Sequence, residues 1–131
     1  MTSTSRRERA DRGAAGRDEV ALSLRIEVAT GRVGPGKIDL LERIAQLGSI
    51  SAAARTMRMS YRRAWELVDD LGRSFGRPVV TTQMGGSGGG GATLTPLGRD
   101  LVAQYRAIER KAQRAARSHL ARIQAARASR S

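Results

Sequence analysis

Apolar and polar residues alternate along Leu22-Ser23-Leu24-Arg25-Ile26-Glu27-Val28. This period of two predicts a strand within residues 20–28, with Leu22, Leu24, Ile26 and Val28 on its buried face. Residues 31–36, which include Pro35, read as a loop. The spacing then becomes helical, as Ile38, Leu41, Ile44, Ala45 and Leu47 line a first helix that Gly48 ends. Ser49 or Ser51 can cap a second helix, whose Ala52-Ala53-Ala54 run is small enough for a close helix crossing. Arg58-Met59-Ser60 form a short turn, and Ser60 caps a third helix with Tyr61, Ala64, Trp65, Val68, Leu71 and Phe75 on one face. Its opposite face carries Arg62, Arg63, Glu66, Asp69, Asp70 and Arg73. Two helices joined by so short a turn outline a helix-turn-helix.

Beyond it, Val79-Val80-Thr81-Thr82-Gln83-Met84 and Ala92-Thr93-Leu94-Thr95 are two β-prone runs on either side of a glycine-rich stretch. They predict a hairpin, a wing, with a long flexible tip. Thr95-Pro96 opens a last helix, with threonine as cap and proline at the first helical position. Its apolar residues are Leu97, Leu101, Val102, Tyr105, Ile108, Ala112, Ala115 or Ala116, Leu120 and Ile123, and from Leu101 they step mostly by four and three, as in a seam between helices. A partner chain would cover this face; a frayed basic tail is the alternative. The expected fold is mainly α with a small β-hairpin (α+β), a winged helix-turn-helix with an N-terminal strand and a long C-terminal helix. Its expected parts are a disordered basic arm (1–18), the DNA-binding domain (19–105), a dimerisation helix (96–125) and a disordered tail (126–131).

The 131-residue chain carries 24 basic and 12 acidic side chains, a net charge of +12. The excess lies at the ends: five basic and two acidic residues in 1–17, eight and one in 106–131, and eleven and nine between them. Basic ends on a nearly neutral middle suit phosphate contact, or simply a solvated surface. Only Lys37 and Lys111 are lysine; the arginine bias favours bidentate contacts to phosphate or bases, or reflects a GC-rich genome. There is no cysteine, which excludes disulfides and thiolate metal sites. No apolar run is long enough to span a bilayer, and no apolar segment follows the N-terminal arginines as in a secretory signal, so a cytoplasmic protein without membrane contact is expected.

The N-terminal residues of a recognition helix and the turn before it enter the major groove first. Here these are Arg58, Ser60, Tyr61, Arg62, Arg63 and Glu66. Arginine bridges guanine O6 and N7, glutamate accepts from cytosine N4, and hydroxyls such as those of Ser49 and Ser51 suit phosphates. Tyr61 also begins the apolar stripe, so it serves as core or as contact. Trp65, the sole tryptophan, is expected in the core. In the wing, Gly86, Ser87, Gly88 and Gly89 are the expected DNA-contacting positions. The frame from Gly86 to Thr93 fits a phosphate-binding P-loop except that Ala92 stands where lysine is required. His119 is the only histidine, and the carboxylates scatter along helix surfaces. No catalytic or metal-ligating constellation forms, and neither an enzyme nor a bound cofactor is expected.

Gly48-Ser49-Ile50-Ser51, Ala54, Ser60-Tyr61 and Ala64-Trp65 together resemble the DNA-binding domain of the ModE family of molybdate-dependent transcriptional regulators. Gly85-Gly86, Gly88-Gly89-Gly90-Gly91-Ala92, Leu94-Thr95 and Gly98 are similar to that family's wing and the start of its following helix. The resemblance covers about residues 20–110. LysR-type regulators share the Gly-Ser, alanine-rich and Leu-Thr-x-x-Gly elements but lack this wing. The resemblance implies a homodimeric winged helix-turn-helix on double-stranded DNA at a palindromic operator, in a setting of molybdate metabolism. Two differences stand out. Full-length members continue into a pair of molybdate-binding domains, whereas this sequence ends at Ser131, so direct sensing by that site is not expected. Ser87 stands where some members carry a wing lysine. From other classes, a non-specific nucleoid-type DNA-binding protein and a protein-interaction module on the same fold remain open.

Overall fold

The computed structural model describes residues 19–84 and 90–128. The chain divides into two units, Leu24–Glu109 and a second made from the two ends, up to Ser23 and from Arg110. The first unit begins with β1 (Ile26–Val28) and β2 (Gly31–Val33), an antiparallel pair in the register Ile26↔Val33, Glu27↔Arg32 and Val28↔Gly31. This corrects two expectations: the strand is shorter than its alternation, and part of the supposed loop is its partner strand. The alternation nevertheless persists in burial, with Leu24, Ile26 and Val28 packed on the core and Arg25 and Glu27 exposed. Gly31 suits its place because a Cβ there would lie 2.7 Å from Ser74 Oγ.

Helix α1 (Pro35–Leu47) starts on Pro35 and buries Ile38, Leu40, Leu41 and Ile44. Leu47, expected on the buried face, is exposed, while Leu40 is buried. Helix α1 contacts the helices Ile50–Thr56 and Tyr61–Phe75 and the strand Gly91–Leu94, so its buried arc is wider than a single stripe. Gly48 ends it in the left-handed region (φ 72°), donating its N–H to the Ile44 carbonyl. Helix α2 (Ile50–Thr56) buries Ile50, Ala53 and Ala54, and the two alanines allow the close crossing with α3 (Tyr61–Phe75). Helix α3 buries Ala64, Val68 and Leu71 before Gly76 terminates it.

Strands β3 (Val80–Gln83) and β4 (Gly91–Leu94) pair antiparallel from Val80↔Leu94 to Gln83↔Gly91. Thr95 joins this hairpin to α4 (Pro96–Ala128). Its N–H donates to Val79 O, its hydroxyl donates to Pro78 O, and the same oxygen caps the helix by accepting from Gly98 N at 3.1 Å. Gly98 packs so closely on the Val79 carbonyl that a side chain there has no room. Helix α4 runs past the expected limit of 125 to Ala128, as its alanine content favours.

Within the first unit α4 is fastened to α1 by Arg106. Its guanidinium donates to Glu42 (2.8 and 3.1 Å), Asp39 (2.6 Å) and Glu109 (2.9 Å), with only 17% of the side chain exposed. The Glu42 hydrogen bond does most to raise the Arg106 pKa above its ordinary value, Glu109 and Asp39 adding to it against the cost of burial. One residue earlier, the buried Tyr105 donates its hydroxyl proton to Leu24 O at 2.8 Å. In the second unit, Val20 N donates to Gln124 Oε1 at 2.6 Å.

Candidate nucleic-acid interface

Two serines set the geometry of the helix-turn-helix. Ser49 Oγ accepts from Ala52 N at 3.1 Å and Ser60 Oγ accepts from Arg63 N at 3.0 Å, so each satisfies an otherwise unpaired amide at a helix start. These hydroxyls spend an acceptor position on capping and keep a proton to donate outward. Ser51 lies in the first turn of α2, where Arg55 Nη1 reaches its Oγ at 3.4 Å. Between the helices, Arg58 is the non-glycine residue held in the left-handed region among the described residues, at φ 56°. That conformation costs an L-residue roughly 1–2 kcal/mol, and it turns the chain so that Ser60 can start α3.

The expected contact residues from the turn onward gather on one surface. Arg58, Ser60, Tyr61, Arg62 and Arg63 are exposed around the N-terminus of α3, and Glu66 follows one turn later, half-buried. Arg62 lies 3.6 Å from Glu66, with 88% of the arginine side chain exposed, a pair weak enough to release its arginine to a better acceptor. Further along α3 the balance reverses. Arg73 is occupied by Asp70 and Asp69, and its pKa is raised chiefly by the hydrogen bond to Asp70. The positive potential of this helix is therefore concentrated at its start, where the helix dipole adds to it.

Trp65 corrects the sequence reading. It is 46% exposed, and Tyr61 is 55% exposed. The core stripe runs through Ala64, Val68 and Leu71; Tyr61 and Trp65 stand to one side of it by roughly 50–100° of helix rotation. The two aromatic rings face the hairpin across a groove of about 440 Å3 that also takes in Ser49, Ser51, Thr82 and Gln83. Ala92 N donates to Gly48 O at 2.9 Å, which fixes strand β4 of the wing to the residue preceding the α2 cap. Gly86, Ser87, Gly88 and Gly89 lie outside the described residues; Met84, at one edge of the gap, is 94% exposed. Trp65, Thr82 and Gln83 are thus groove-lining residues that the sequence does not place with the expected contact positions. The offset of Trp65 from the Ala64-Val68-Leu71 spacing was the signal that could have found it. Among the described residues no group of three His, Cys, Asp or Glu is placed to hold a metal ion, and no helix is long and apolar enough to cross a membrane.

Residues 36–99 match the family model described as the bacterial regulatory helix-turn-helix protein of the lysR family. The molybdenum-pterin-binding protein MopB of Rhodobacter capsulatus is 46% identical over 84 residues, covering 64% of this chain and 31% of that protein. The molybdenum transport protein ModE of Azotobacter vinelandii is 41% identical over 88 residues, 67% of this chain and 32% of its own length. The DNA-binding transcriptional dual regulator ModE of Escherichia coli K12 is 34% identical over 97 residues, 74% of this chain and 37% of its own. The chain thus spans about a third of the length of the relatives it matches.

Proposed function

Starting from a chain that carries a helix-turn-helix domain of the ModE type, we propose that it is a sequence-specific DNA-binding transcriptional regulator linked to molybdenum metabolism. The observation that carries this reading is the cluster of exposed Arg58, Tyr61, Arg62 and Arg63 at the capped start of α3, with the wing strand β4 anchored to Gly48, just ahead of α2. Arg62 and Arg63 read guanine edges in the major groove, Glu66 accepts from cytosine, and Ser49, Ser51 and Ser60 donate to phosphates. The wing, through Gly86, Ser87, Gly88 and Gly89, follows the backbone or the minor groove. The protein acts in the cytoplasm.

The functional state is a homodimer on a palindromic operator. Ile108 and Ile123 of the α4 seam are 45% and 55% exposed in the single chain, which is the condition expected of a face that a second copy covers. Half-sites then lie about 34 Å apart. Footprinting on genomic fragments is expected to show a protected palindrome; protection without a repeated half-site would reject the dimeric reading. The double variant Arg62→Ala/Arg63→Ala is expected to lose ~1–3 kcal/mol on that sequence while keeping its affinity for unrelated duplex. An equal loss on every sequence would instead favour a non-specific nucleoid-type protein. Titration with molybdate during the same footprint tests the effector.

A further inference from the structure

From Arg110 to Arg127, α4 carries six lysines and arginines and no carboxylate. At about 100° per residue, Arg117, Arg110, Arg114, Lys111 and Arg122 fall within an arc of roughly 140°, and all five are exposed. Ala112, Ala116, Leu120 and Ile123 occupy the opposite side. From Arg110 to Ile123 the two sides are thus sorted, one cationic and one apolar, while Arg127, beyond them, falls on the apolar side. This sorting is absent from the unit Leu24–Glu109, where basic and acidic residues share surfaces, as Arg62 with Glu66 and Arg73 with Asp69 and Asp70 do.

We infer that the cationic face of α4 is a second nucleic-acid contact, one that binds duplex phosphates without reading bases. It rests on the DNA-binding reading of the chain and extends it beyond α3 and the wing. The side-chain chemistry selects the occupant. Four of the five cations are arginines, whose planar donors match phosphate oxygens in pairs. A helix that lies on a lipid surface needs bulky apolar or aromatic residues beneath its charges. Here only Leu120 and Ile123 are bulky on the apolar side, its other apolar positions are alanine, and residues 110–128 contain no Trp, Tyr or Phe. The surface therefore matches a rigid polyanion better than a bilayer, and it raises affinity for any duplex while α3 sets the preference among them.

The test is the variant Arg110→Gln/Lys111→Gln/Arg114→Gln/Arg117→Gln in the full chain, glutamine being chosen to keep helix propensity. Each phosphate contact contributes about 0.9 to the slope of log affinity against log salt, so with four cations removed the slope is expected to fall by up to about 3.6 per protomer. Affinity should fall by the same factor on the footprinted sequence and on unrelated duplex, leaving their ratio unchanged. Circular dichroism should show unchanged helix content, and the variant Arg110→Lys/Arg114→Lys/Arg117→Lys should recover most of the slope. An unaltered slope, or a loss confined to one sequence, overturns the inference while the α3 reading stands. Loss of the salt-dependent term in a protein that proves to have no sequence preference upholds the inference and rejects that reading. Tighter cosedimentation with phosphatidylserine vesicles than with duplex, abolished by the same variant, overturns the inference in favour of a membrane.

Discussion

Arg106 and the pair Arg62 and Arg63 are the same residue type put to opposite uses. Arg106 is enclosed by three carboxylates from α1 and α4, whereas Arg62 and Arg63 project from the start of α3 into solvent. Arginine content alone therefore says little about nucleic-acid contact in this chain; partners and burial separate the arginines that hold the fold from those available to a ligand. Removing the first kind takes a shared cation away from three half-buried carboxylates, while removing the second leaves the fold nearly untouched.

The largest expected effect follows from breaking the enclosed side of this contrast. Arg106→Ala should destabilise by about 2 kcal/mol, less than for a fully buried ion pair because the cluster is only half-buried and water reaches it. Urea unfolding measures it, and a loss no larger than that of Arg62→Ala/Arg63→Ala, expected within ~0.5 kcal/mol of wild type, would erase the distinction. A smaller effect comes from the neighbouring Tyr105. Burial, aided by the charge of Glu109, raises its pKa above the ordinary value of 10.0. The folded state thus holds the phenol proton more tightly than the unfolded chain does. That part of the stability is intact below about pH 10 and is lost as pH rises through the folded value. Unfolding followed from pH 8 to 11 should therefore fall more steeply for wild type than for Tyr105→Phe. The smallest effect belongs to the exposed side. Arg58→Gly relieves a left-handed arginine at the cost of a more flexible unfolded chain, so stability should change by only ~0–1 kcal/mol, upward. Its affinity for DNA should nonetheless fall, as gel-shift titration would measure; a stable variant with unaltered affinity would remove Arg58 from the interface.

What the sequence made legible was chiefly local. The serines at 49 and 60, Gly48 and Thr95-Pro96 mark helix ends through interactions spanning three or four residues, and the structure places caps and stops at each. The surface around Arg58–Arg63 was legible because those residues surround one such end. Strand β2 was not, since Gly-Arg-Val has little strand character alone and is ordered by pairing with β1. The link of Arg106 to Asp39 and Glu42 crosses more than 60 residues and has no local signature. Trp65 was misplaced because hydrophobicity was allowed to outweigh helical phase, and its ring lies on the flank shared with the hairpin.

Gly48 and Ser49 carry a further consequence. Gly48 closes α1 with its N–H and receives β4 on its carbonyl, and Ser49 immediately starts α2. Three elements thus meet across a single peptide link. An extra residue inserted there would rotate α2 with the helix it supports and draw the wing out of step with both. The molecule is therefore intolerant of length change at this link, which keeps the spacing between α2 and β4 a fixed dimension of the protein.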